Sequence, residues 1–221
     1  MNIRIATPIV LACLAASAQA QNLTTNGSFE VPGPGFVLFQ GWENYGNVFD
    51  DPSVEIAPQD GAVSCKMFGQ FSGSQNDQVL LQTVTGITPG SLYTLGCYTQ
   101  HVTGDEVAPG NLILLQLNFQ DANGANLEQV QVEPITPGVT PTDVWNLTEV
   151  SGVAPEGTTK ILIALLHLQL DGVAGGASYW DNITLVEGEA PCDNPADFNN
   201  DGILDFFDVL AFLQAFSDGC P

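Results

Sequence analysis

From Asn22 to about Val186 the chain never runs far without a glycine- or proline-bearing turn, and that rhythm leaves no room for a helix of useful length. Val79 to Val84 leads into Thr88-Pro89-Gly90, and Leu92 to Gln100 follows. Asn111 to Phe119 ends at Asp121-Ala122-Asn123-Gly124, and Leu127 to Val132, Ile161 to Leu170 and Tyr179 to Val186 complete the series. Runs of this length, rich in apolar residues and set between turn signals, are strands. Strand after strand with such turns predicts an all-β fold, a jelly-roll β-sandwich.

The segments outside that body read differently. Met1 to Arg4 is a short positive start, Ile5 to Ala16 an apolar run and Ala18-Gln19-Ala20 a small-residue cleavage pattern, so residues 1–20 are expected to be a secretory signal peptide. Val10-Leu11-Ala12-Cys13 has the look of a lipoprotein signal but leaves little apolar core before Cys13. No later stretch supplies the ~20 apolar residues a membrane span requires. The expected location is secreted, extracellular or associated with the cell surface.

With the signal removed, Lys66 and Lys160 are the only bases against 25 Asp and Glu. Such a surface repels phosphate backbones and anionic lipid, which excludes nucleic acid as a partner, and it favours divalent cations. Phosphoryl-transfer clamps and most nucleophile–base pairs lack their parts, and no G-x-S-x-G, H-E-x-x-H or C-x-x-C pattern is present. The expectation is a protein that is not an enzyme.

After a short linker at 188–191, residues 192–221 hold Asp197-Phe-Asn199-Asn-Asp201-Gly202-Ile203-Leu-Asp205-Phe-Phe-Asp208. Oxygen side chains at loop positions 1, 3, 5, 9 and 12, a carbonyl at 7 from Ile203, and glycine at 6 make a Ca²⁺ loop. The predicted ligands are Asp197, Asn199, Asp201, Ile203 (carbonyl), Asp205 and Asp208. A strongly apolar helix, Phe206 through Phe216, follows and stops at Ser217-Asp218-Gly219. Four cysteines remain after the signal, an even number in an oxidising compartment, and they allow three connectivities. Cys192 and Cys220 bracket the calcium repeat, which favours pairing them and leaves Cys65 with Cys97.

Reading strand faces points to a ligand surface. Gln116, Asn118 and Gln120 lie opposite Ile113, Leu115, Leu117 and Phe119. Between Lys160 and Leu170, Leu162, Ala164, Leu166, Leu168 and Leu170 read as core, opposite a face ending in His167 and Gln169. One face of Leu92 to Gln100 carries Tyr98 and Gln100. Tyr98, Gln100, Gln116, Asn118, His167 and Gln169 thus form a neutral, hydrogen-bonding set suited to sugar hydroxyls, with one aromatic to stack, and Tyr45, Phe49 and His101, in loops or at strand ends, are expected to flank it. A solvated sheet face needs polar residues anyway, so this set is also what an idle face would show.

Two resemblances sharpen these readings. "NGSFEVPGPGF…GW" from Asn26 to Trp42, "LLQTVTGITPGSLYTLGCYTQ", and "W…VAPEGTTKILIALL…GGASYWDNITL" from Trp145 to Leu185 together resemble a family 4/9-type carbohydrate-binding module, one of the galactose-binding-like jelly rolls, over residues 22–187. That resemblance implies a neutral polysaccharide as partner, core or edge packing for Trp42, Trp145 and Trp180, and a structural Ca²⁺ at Glu30 and Asp181. "PADFNNDGILDFFDVLAFLQAF" running to Gly-Cys resembles a dockerin-type EF-hand-like repeat, here single where a full dockerin has two. It implies attachment to a cohesin-like or cell-surface protein. The alternative is a structural envelope or matrix component with no soluble ligand.

Overall fold

The computed structural model describes residues 21–188, 196–199 and 203–217. The expected signal peptide with Cys13, most of the linker, and Cys192, Asp201 and Cys220 lie outside the described residues. Among the described residues ten strands run as β1 (Glu43–Tyr45), β2 (Val48–Asp51), β3 (Ser64–Phe68), β4 (Asn76–Thr85), β5 (Leu92–Gln100), β6 (Asn111–Gln120), β7 (Asn126–Val132), β8 (Asn146–Val153), β9 (Lys160–Gln169) and β10 (Ala177–Gly188), followed by α1 (Phe206–Ser217).

The strands form two five-stranded antiparallel sheets, β1-β4-β9-β6-β7 and β2-β3-β10-β5-β8, here the first and second sheets. This is the expected β-sandwich of jelly-roll type. The turn chemistry closes it locally: Asp121 Oδ1 accepts from Asn123 N (2.8 Å) and Ala125 N (2.9 Å), which holds the β6–β7 hairpin while Gly124 takes a φ of 87°. Residues 22–27 run beside the end of β10, with Leu23 N donating to Leu185 O (2.7 Å), Ile183 N to Gly27 O (2.8 Å) and Leu185 N to Asn22 Oδ1 (3.0 Å).

Between the sheets lie Leu80, Leu95, Ile113, Leu115, Leu117, Phe119, Ile163, Leu165 and Trp180, all fully buried, and Phe29 joins the same core packed against the rings of Phe39 and Trp42. Trp42 and Trp180 are core residues, as expected; Trp145 packs on a smaller cluster of Ile56, Ala177 and Tyr179 and donates Nε1–H to Ala57 O (3.0 Å).

The expected Cys65–Cys97 disulfide is not formed: both are free, buried thiols. Cys65 is on β3 and Cys97 on β5, and β10 runs between those strands. Two strand spacings are about 9.6 Å, beyond the roughly 7 Å that a disulfide's Cα atoms can span. Burial pushes both thiols up in pKa, so they stay protonated and inert.

Candidate functional site

The register of the first sheet decides which side chains share its outer face. Glu43 pairs with Leu81, Leu81 with Ala164, Ala164 with Gln116, and Gln116 with Gln131, so those five residues form one row across the sheet. The next row in one direction is Tyr45, Val79, Leu166, Leu114, and in the other Thr83, Leu162, Asn118, Gln129. Asp77, Leu168 and Leu112 extend it at the Tyr45 end. The aliphatic residues of these rows belong to neither core cluster; Leu114 and Ala164, with Asn118, are buried by their neighbours on this face, and Val79, Leu81, Leu112, Leu162, Leu166 and Leu168 are half-buried. The result is an aliphatic floor with an amide border on the β6–β7 side and Tyr45 and Glu43 on the β1 side.

The amides are already organised. Gln116 Nε2 and Gln129 Nε2 both donate to Gln131 Oε1 at 2.9 Å, Gln120 Nε2 donates to Asn126 Oδ1 (2.8 Å) and Asn118 Nδ2 to Leu162 O (3.0 Å). On the opposite border the Tyr45 hydroxyl donates to Glu43 Oε2 (3.1 Å), and that bond, with the carboxylate's charge, raises the tyrosine pKa. Tyr45 is 55% exposed. Beside it, a depression of about 710 Å³ opens between Glu43 and the 32–41 loop, lined by Pro32, Pro34, Val37, Gln40 and Trp42. Phe36 stands fully exposed at the tip of that loop, whose base is clasped by Asn26: its Nδ2 donates to Val31 O (2.8 Å) and Gln40 O (3.2 Å), and its Oδ1 accepts from Val31 N (3.0 Å).

Of the six residues expected to form the groove, Gln116 and Asn118 lie on this face. His167 and Gln169 do not: β9 is turned the other way, with Ile161, Ile163, Leu165, His167 and Gln169 facing the core and the leucines facing out. Pairing of His167 with Ile113 and of Leu165 with Leu115 forces that parity. Tyr98 and Gln100 are on β5 in the second sheet, with the hydrophobic core between them and the amide border. There Tyr98 is in register with Asp181 and Leu147, and Gln100 is buried beside Tyr179.

The misplaced pair has structural work instead. Gln169 Nε2 donates to Ala174 O (2.6 Å), and its Oε1 accepts from Phe71 N (3.1 Å) and Asn76 Nδ2 (2.7 Å), so one buried amide ties together loops 69–76 and 170–176. His167 Nδ1 lies 2.9 Å from Ser178 Oγ, which accepts Trp180 Nε1–H (3.0 Å), so the three residues bridge the two sheets.

Burial lowers the His167 pKa to about 4. The unfolded chain therefore takes up a proton near pH 6.5 that the folded chain refuses until about 4, and the stability present above 6.5 is lost as pH falls through that window. Between pH 7 and 5 the loss is about 2 kcal/mol. Urea melts of the parent and His167→Gln at both pH values isolate this contribution; parallel pH dependence in the two proteins would exclude it.

His101 is equally internal, accepting Val107 N–H at Nδ1 (3.2 Å) and donating from Nε2 to Thr140 O (3.0 Å), a pattern only the neutral Nε2–H ring satisfies. Phe49 stacks on Phe68 with ring centroids 5.3 Å apart, on the second sheet.

Glu30 and Asp181 converge on one loop. Glu30 Oε1 accepts from Ala62 N and Val63 N (both 2.8 Å), and Asp181 Oδ2 from Gln59 N (2.8 Å) and Asp60 N (3.0 Å). Burial pushes the Asp181 carboxyl up to about 6 despite those donors. Both carboxylates anchor residues 59–63, and neither has a neighbouring acidic, His or Cys partner set for an ion among the described residues.

Among the described residues of the C-terminal repeat, Asp208 is buried, 5% exposed. Asp205 caps α1, its Oδ1 accepting from Phe207 N (2.7 Å), while Asp208 Oδ2 reaches back to Asp205 N (2.8 Å) as in a capping box. Asn199 N also donates to Asp208 Oδ1 (3.4 Å), and these N–H donors lower the Asp208 pKa. The donor set is all oxygen, the hard-ligand chemistry Ca²⁺ takes. Among the described residues no three His, Cys, Asp or Glu side chains are gathered as a metal group, and Asp201 is outside them. The helix itself leaves Phe206, Phe207, Leu213 and Phe216 more than half exposed.

No protein-family model matches the chain, and no curated protein matches it. Solved structures do match. The family 61 carbohydrate-binding module TmCBM61, in complex with β-1,4-galactotriose, is 22% identical with a TM-score of 0.50, covering 76% of this chain and 100% of that one. The CBM22-1 xylan-binding domain of Paenibacillus barcinonensis Xyn10C is 16% identical, TM-score 0.50, covering 77% and 97%. A cyclase from Fischerella sp. TAU is 16% identical, TM-score 0.55, covering 78% and 99%. A match to a bacteriophage CBA120 tailspike domain spans only 21% of that chain. At these identities the likeness is one of fold: a jelly roll shared by non-catalytic modules and by enzymes.

Proposed function

We propose that the protein is an exported, non-catalytic binding protein whose first sheet takes a neutral polysaccharide on its outer face, and whose C-terminal repeat holds Ca²⁺ and serves attachment to a cohesin-like or cell-surface protein. The observation that carries the glycan reading is the face itself: an uncharged apolar floor bordered by the linked amides of Gln116, Gln129 and Gln131 and by the exposed ring of Tyr45. Amides donate and accept to hydroxyls, the ring stacks on a pyranose face, and the floor covers the apolar flank. Jelly-roll neighbours described as bound to galactotriose and as xylan-binding support it.

Affinity gel electrophoresis against β-1,4-galactan and xylan tests the reading. Tyr45→Ala is expected to weaken retention roughly tenfold, about 1.4 kcal/mol, because the ring is exposed and its loss leaves the core intact. Tyr98→Ala, on the other sheet, is expected to leave retention unchanged. The reverse pattern would move the site to the second sheet, and no retention by any neutral polysaccharide would end the glycan reading.

A further inference from the structure

We infer that the preferred ligand is an acyl-substituted neutral glycan, such as an acetylated hemicellulose, with its ester groups turned to the leucine floor and its free hydroxyls to the amide border. This rests on the glycan reading above and deepens it.

The inference comes from the unequal chemistry of the two parts of the face. Val79, Leu81, Leu112, Leu162, Leu166 and Leu168 stand in adjoining rows, half-buried by one another, with no donor or acceptor side chain among them. An unsubstituted sugar has hydroxyls around its whole ring edge. Those turned to the leucines would give up water and find no partner, whereas an ester-linked acetyl presents a methyl to the floor. Each methyl buried there strengthens binding about fourfold.

The polar side chains are gathered instead along β6 and β7, where Gln116, Gln129 and Gln131 share one acceptor oxygen and keep N–H and C=O capacity for a ligand's free hydroxyls. Charge narrows the class further. Glu43 and Asp77 stand at the rim and the whole chain carries 25 acids, which turns away glycans bearing uronic acids.

The test uses the full mature chain and one soluble xylo-oligosaccharide preparation, native-acetylated and after mild alkaline deacetylation, titrated by calorimetry. The expected result is binding at least tenfold tighter to the acetylated form, and a ratio near one for Leu168→Asn, whose amide removes the advantage of the methyl. Equal or tighter binding of the deacetylated form by the parent protein overturns the inference and leaves the glycan reading standing. Binding of neither form, with β-1,4-galactan also unbound, overturns both.

Discussion

Replacing Leu166 with glutamate is expected to abolish retention on polysaccharide gels, a loss of roughly 100-fold or more, at least about 2.7 kcal/mol. Leu166 sits in the middle of the first sheet's outer face, between Val79 and Leu114 and two strands from Tyr45. In the free protein the new carboxylate reaches water. Once a ligand covers the floor it is desolvated with no cation near, since Lys160 lies at the far corner opposite Gln120 and Lys66 is on the other sheet, paired with Glu55. The melting temperature should fall only slightly, as for most substitutions outside the core. Retention equal to the parent's would show that the ligand does not cross this face.

Asp208→Ala is expected to lower Ca²⁺ affinity by roughly 100-fold or more, because position 12 supplies the carboxylate that closes such a loop. It also removes the acceptor for Asp205 N and Asn199 N, so the first turn of α1 loses its reciprocal cap even without metal, a cost of about 1 kcal/mol. Calorimetric titration reads the first effect. Far-ultraviolet circular dichroism of the parent and the variant, both in chelator, reads the second as a loss of helical signal in the variant. If the parent binds no Ca²⁺, or the variant binds it equally well, the repeat is not a calcium site and the all-oxygen spacing is only a cap.

What could be read beforehand depended on contrast within each strand. On β6 one face is Ile113, Leu115, Leu117 and Phe119 and the other ends in amides, so inward and outward sides were legible from alternation alone. On β9 both faces are apolar, and period-two reasoning cannot choose between Ile161-Ile163-Leu165 and Leu162-Ala164-Leu166. The β-branched set went inward, and the leucines, which read as core, are the floor of the candidate site. The polar pair continues the inward set, where Gln169 makes three hydrogen bonds and His167 meets Ser178 through Nδ1, contacts that alternation along one strand does not reveal.

Tyr98 failed for a different reason. In this topology β4, β6 and β9 fall in one sheet while β5, β8 and β10 fall in the other, so β5 cannot lie beside β6 however well their polar faces match. Conversely Tyr45 is expected beside the groove from its place near a strand end, although β1, only Glu43 to Tyr45, carries no periodic signal to say which sheet it joins. The capping geometry around Asp205 follows the sequence closely, since caps are local chemistry.

The position of β10 has a mechanical consequence. The C-terminal tail leaves from its last residue, Gly188, while β10 itself lies inside the second sheet, with β3 along its start and β5 along nearly its whole length. Residues 22–27 add further bonds to its later half. A pull applied through the tail along the strand therefore loads these bonds together in shear instead of peeling them one at a time, and the sandwich would resist extraction by force far better than its modest edge strands suggest.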